Sequence, residues 1–182
     1  DGWFGHRNDE TQGLGDWFVN IDKLPHGISG LSKKIHDLGL KFGLWIEPEM
    51  VNKDSLFYQE HPHWTLETPQ RKSCHGRNQY ILDFSNPEVV EEIAEALCKI
   101  IDDSYISYIK WDMNRCMSEV YSSIHDHQSQ GKVMHEYILG VYRLYTILTE
   151  KYPDIRFESC ASGGARFDPG MLYYAPHCWT ID

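Results

Sequence analysis

The sequence predicts an α/β protein, part of a (β/α)₈ TIM barrel, and three observations predict it. Apolar segments of strand period and of helix period alternate along the chain. The segments between strands are long enough to be crossover helices, which makes the sheet parallel. Residues able to do chemistry then fall at the carboxyl ends of successive strands: Asp1, Trp45 with Glu47, Lys110 with Asp112, Cys160 with Gly163, and Asp182. A doubly wound sheet gathers its site at one crevice, so five decorated ends in succession favour the barrel.

Taken in order, Asp1 to Gly5 reads as the last residues of a strand emerging into a polar loop. Pro25, Gly27 and Gly30 lead into an amphipathic helix over about 30–38, with Leu31, Ile35 and Leu38 on one face and Gly39 as its cap. Residues 40–46 form a strand in which Leu44 and Ile46 share a face opposite Trp45, Glu47 and Glu49; Pro48 ends its pairing. Leu56 to Glu60 is a helical turn, followed by the loop His61-Pro62-His63-Trp64. Its two histidines have no third ligand at metal spacing. Tyr80 to Phe84 is a short apolar run. Ser85-Asn86-Pro87-Glu88 starts a helix to about Asp102, with Val90, Ile93, Leu97, Ile100 and Ile101 inward.

The central strand is Tyr108-Ile109-Lys110-Trp111-Asp112. Alternation sends Ile109 and Trp111 to one side and Lys110 and Asp112 to the other. A buried Lys/Asp pair is costly unless its charges are paired or used. One reading is a satisfied salt bridge; the sharper one is a carboxylate kept ionised by a neighbouring cation so that it can act as a nucleophile. A loop over about 116–131 and a helix over about 132–151 follow, with Val133, Ile138, Val141, Leu144 and Leu148 inward and Pro153 beyond its end. Arg156 to Cys160 is the next strand, broken by Ala161-Ser162-Gly163-Gly164. That loop lacks the lysine of a phosphate cradle. Residues 166–174 make a short helical connection, and residues 177–182 a last strand ending in Asp182.

Composition narrows the partners. A net charge of −10 with no basic run excludes a nucleic-acid surface. Neither a signal peptide nor a membrane-spanning run is present. The five cysteines are scattered without CxxC spacing, which reads as reduced thiols of a cytoplasmic protein. The absence of an initial Met, and an end at the last carboxylate, read as a piece of a longer chain.

Asp112 and Asp182 end strands separated by one intervening strand, which faces them across a cavity. Paired carboxylates about 5–5.5 Å apart suit retaining glycoside hydrolysis, and about 6.5–9.5 Å suits inversion. Lys110 would hold Asp112 ionised, and Asp182, less compensated, would keep its proton for a leaving group; the plainer reading of Asp182 is an exposed terminal residue. Trp45 suits stacking on a sugar ring, or alternatively the core.

Six segments carry a resemblance: Asp-Gly-Trp-Phe-Gly, Gly-Leu-Trp-Ile-Glu-Pro-Glu-Met, Gly-Arg-Asn-Gln-Tyr-Ile-Leu-Asp, Lys-Trp-Asp-Met-Asn-Arg, Glu-Ser-Cys-Ala-Ser-Gly-Gly and Cys-Trp-Thr-Ile-Asp. In this order they resemble the α-galactosidases of glycoside hydrolase family 36. The resemblance spans residues 1–182. It implies a catalytic-domain fragment with about strands 2 to 6 of the barrel, and retaining hydrolysis of terminal α-galactosides such as melibiose and raffinose, without a cofactor or metal. It further implies Asp112 as nucleophile, Asp182 as acid/base, and Asp1, Trp45, Arg77, Lys110, Cys160 and Gly163 as the lining of a galactose pocket. Ile181 stands where the family usually carries Ser. A galactosyl-transferring relative and a non-catalytic sugar-binding module are the alternatives, and a metal-dependent hydrolase is a third, disfavoured because the histidines do not cluster. The parent enzyme is expected to be a homo-oligomer, and the piece alone, with its sheet edges open, to fold poorly or to be inactive.

Overall fold

The computed structural model describes residues 1–181; Asp182 lies outside the described residues. Four parallel strands form the main sheet: β1 (Phe42–Ile46), β4 (Ile106–Trp111), β5 (Arg156–Ser159) and β6 (His177–Cys178). They lie side by side in chain order, β1-β4-β5-β6, with no reversal of direction along the sheet. Between β1 and β4 a small antiparallel pair, β2 (Met50–Val51) with β3 (Tyr80–Ile81), forms a second sheet.

The helices fall where periodicity places them, and the caps explain their ends. α1 (Gly27–Asp37) starts three residues earlier than expected. It ends at Gly39, whose φ of +76° lets the amide bond back to the His36 carbonyl. Its inward face is Ile28 and Ser32 rather than Leu38, which lies past the last turn and is exposed. α2 (Leu56–Glu60) is capped by the Ser55 hydroxyl, which accepts from the Tyr58 amide. α3 (Pro87–Asp102) begins as anticipated, with the Asn86 side chain accepting from the Glu88 amide and Pro87 in the first turn. Seven of its residues are buried, among them Val90, Ile93 and Leu97, each contributing about 1.5–3 kcal/mol of apolar transfer.

A short 3₁₀ turn, Gln130–Lys132, leads into α4 (Val133–Lys151), and α5 (Pro169–Tyr174) precedes β6. Ile109, Trp111 and Phe157 point from the sheet toward α4, where Trp111 stacks on Tyr145 at 4.0 Å between centroids. α4 approaches the β3–α3 connection so closely that a Cβ on Gly140 would overlap the Phe84 carbonyl. The opposite side of the sheet carries Tyr108, Lys110 and Glu158, so polar groups occupy the face turned away from α4.

One expectation fails at the start of the chain. No strand ends at Asp1 among the described residues; the segment turns, and Phe4 forms a single antiparallel bridge with Val19. Aromatic packing holds it instead, with Phe4 against Trp3 and Trp17 at centroid distances of 5.1 and 4.5 Å.

Candidate active site

The hydrogen-bond ladder of the sheet runs one residue beyond three of its strands. The Asp112 amide donates to Ile46 O at 2.8 Å, that of Cys160 to Trp111 O at 2.9 Å, and that of Trp179 to Ser159 O at 2.9 Å. Register therefore brings Asp112, Cys160 and Trp179 to one carboxyl rim, with Glu47 just past β1 beside them.

Asp112 is buried, and donors from two strand ends hold it. Its Oδ2 accepts from Trp45 Nε1 at 3.1 Å and its Oδ1 from the Met113 amide at 2.9 Å. The Cys160 thiol lies beside Asp112 at the end of β5. Burial pushes that thiol up to about 11, and the neighbouring Asp112 carboxylate adds to the rise, so the sulfur keeps its proton at neutral pH. Trp45 is itself held: Trp3 Nε1 donates to its carbonyl at 2.9 Å, Phe4 stacks parallel at 6.3 Å, and the Arg7 guanidinium lies 5.9 Å from its ring.

Lys110 has a different partner from the one its sequence spacing suggests. Its Nζ lies 3.5 Å from Glu158 Oε1 and 4.3 Å from the Trp179 ring centroid. Parallel pairing sets Lys110 directly opposite Glu158, whereas a residue two positions along its own strand is about 6.6 Å away. Glu158 also accepts from the Tyr108 hydroxyl, and burial together with that bond pushes Tyr108 up to about 12.

Asp1 is exposed and reaches the site through Arg7. Arg7 Nε donates to Asp1 Oδ1 at 2.7 Å, and the same guanidinium leans on Trp45, which links Asp1 to Asp112 through two side chains. Arg77, exposed, shares with Asp1, Arg7 and Lys23 a polar cleft of about 420 Å³. Gly163 sits in the turn after Cys160 at φ +78°, where its carbonyl accepts from the Ala161 amide at 2.9 Å. Asp182, expected as the second carboxylate, lies outside the described residues.

Among the described residues, no three His, Cys, Asp or Glu side chains are grouped to hold a metal ion. No described helix is long and apolar enough to cross a membrane. The five cysteines are all unpaired.

Three participants were not assigned a part by sequence. Arg7 lies in a polar loop and carries no local signal. Glu47 was read only as part of a decorated strand end. Glu158 was detectable: Lys110-x-Asp112 and Glu158-x-Cys160 have the same spacing to the rim, so parallel register must face the two inner residues toward each other.

These features define an α/β protein with its polar site at the carboxyl ends of a parallel sheet whose described strands lie in chain order. The chain belongs to the Melibiase family, whose model matches residues 1–182, that is, with the α-galactosidases of glycoside hydrolase family 36. It is 50% identical over 182 residues to the alpha-galactosidase AgaA of Geobacillus stearothermophilus, covering all of this chain and 25% of that protein. It is 48% identical over the same length to the alpha-galactosidase Mel36A of Lactobacillus acidophilus, again 25% of the relative. The crystal structure of the Geobacillus enzyme superposes with a TM-score of 0.97 over the whole of this chain, 25% of that one. The chain thus spans about a quarter of the length of the relatives it matches.

Proposed function

We propose that this chain is the nucleophile-bearing part of a retaining α-galactosidase, a segment of a (β/α)₈ barrel holding about strands 2 to 6. Sequential strand order without a reversal supports the barrel over a doubly wound sheet. In this reading Asp112 attacks the anomeric carbon of a terminal α-galactosyl residue as the glycosidic bond breaks. Asp182 gives its proton to the departing oxygen, then takes one from the water that releases galactose from the aspartyl ester. Asp1, Trp45, Arg77, Lys110, Cys160 and Gly163 line the galactose pocket.

The observation that carries the reading is the Asp112 carboxylate, buried at the rim and aimed by Trp45 from β1, with the Cys160 thiol beside it at the end of β5. The relatives lend the substrate class. Variants of the Geobacillus enzyme have been crystallised with raffinose and with stachyose. Each replaces an aspartate, and the two positions are seventy residues apart, the interval between Asp112 and Asp182. α-Galactoside oligosaccharides are accordingly the proposed substrates. The parent is read as a cytoplasmic homo-oligomer, the unpaired thiols supporting its compartment.

The test is the anomer first released from a nitrophenyl α-galactoside by the full-length protein, followed by proton NMR. α-Galactose appearing before mutarotation is expected. β-Galactose as the first product, or no hydrolysis, contradicts the reading.

A further inference from the structure

Glu47 is fully buried, a costly state for a carboxylate in the absence of partners. Its two oxygens serve two loops. Oε1 accepts from the Asn114 amide at 2.5 Å, two residues after Asp112. Oε2 accepts from Gln79 Nε2 at 2.8 Å. Gln79 closes a tight turn with Gly76, in which Arg77 and Asn78 sit at φ +54° and +60°. Two successive non-glycine residues in the left-handed region cost energy, so this turn persists only if its ends are anchored. The anchor at Gln79 is Glu47.

We infer that Glu47 is a positioning residue, one buried carboxylate that sets both the segment carrying Asp112 and the turn presenting Arg77. The inference rests on the reading of Asp112 as nucleophile. Both partners of Glu47 are N–H donors, so the two-oxygen acceptor is the group that satisfies both. An amide at this position keeps an acceptor for Asn114 N–H only by turning its NH₂ toward Gln79, whose own amide must then turn so that its unpartnered Oε1 accepts, and both charge-assisted bonds become neutral ones. Burial pushes the Glu47 carboxyl up to about 7 despite these bonds, with the Asp112 charge adding to the rise and Arg7 opposing it. A destabilised carboxylate kept beside the reactive groups is what a functional constraint leaves behind.

The test uses the full-length protein and a nitrophenyl α-galactoside. Glu47→Gln is expected to lower kcat at least about tenfold and to raise KM as well, because weaker neutral bonds loosen both the approach of Asp112 and the turn that presents Arg77. Glu47→Gln combined with Gln79→Glu restores an acceptor opposite each donor, and kcat is expected to return to within about threefold of the parent. A Glu47→Gln enzyme with kcat and KM within twofold of the parent overturns the inference. Should that variant fail to fold, the double variant decides: folded with near-parent kcat supports the coupling, folded with kcat still depressed tenfold overturns it. Asp112→Asn is measured alongside. Parental turnover there defeats the underlying assignment of the nucleophile, whereas loss of turnover there with an unaffected Glu47→Gln defeats only this inference.

Discussion

Trp45 donates its indole N–H to Asp112 across the β1–β4 pair, 3.1 Å from the carboxylate oxygen. The indole is partly buried and fixed on both sides, so this bond sets the direction in which the carboxylate points. Trp45→Phe keeps the aromatic surface and removes the donor. In the full-length enzyme kcat/KM is expected to fall about 10- to 100-fold, the cost of one hydrogen bond to a charged group, with steady-state kinetics as the readout.

Cys160 lies beside Asp112 at the end of the next strand, and its thiol is held protonated by burial and by that neighbouring charge. A raised thiol pKa means less thiolate at any given pH and slower alkylation. At pH 8, iodoacetamide is expected to modify the exposed Cys74 and Cys116 well before Cys160. Peptide mapping at successive times checks the order; early labelling of Cys160 contradicts it.

Glu47 gives the fold a specific pH dependence. Its carboxyl rises from 4.5 to about 7 on folding, so the native state holds the proton more tightly. Between those pH values the native state binds more protons than the unfolded one, and stability falls as pH climbs from about 4.5 to about 7, by about 3 kcal/mol, then levels. Glu47→Gln removes that slope. Denaturation midpoints at pH 5 and pH 7.5 for parent and variant measure it; the slope left in the variant belongs to other groups such as Asp16, whose carboxyl burial also raises.

The close crossing of α4 over the β3–α3 connection makes a stability prediction away from the site. Gly140→Ala places a methyl against the Phe84 carbonyl and is expected to cost about 2–3 kcal/mol, read as a lowered denaturation midpoint. Gly131→Ala, with open space around its Cβ position, is the control.

What was legible in the sequence followed periodicity and caps. α3 and α4 declare themselves through inward apolar residues and the Asn86-Pro87 start, and β1 and β4 through alternation on either side of Trp45 and Lys110. What was not legible depends on long-range pairing. β2 and β3 have two residues each, too few to show a period, and are defined by register alone. β6 was expected over six residues and keeps two, because β5 is its one pairing neighbour among the described residues. Lys110 was paired with Asp112 by proximity in sequence, while the neighbouring strand supplied Glu158. Arg7 reaches the site by folding back from a loop that no local pattern marks.

The role of Asp112 is tested most directly by trapping the full-length enzyme with a fluorinated α-galactoside and mapping the labelled peptide by mass spectrometry. The galactosyl group is expected as an ester on the Asp112 side chain. A label on another residue, or a turning-over enzyme that never accumulates a covalent adduct, contradicts the assignment.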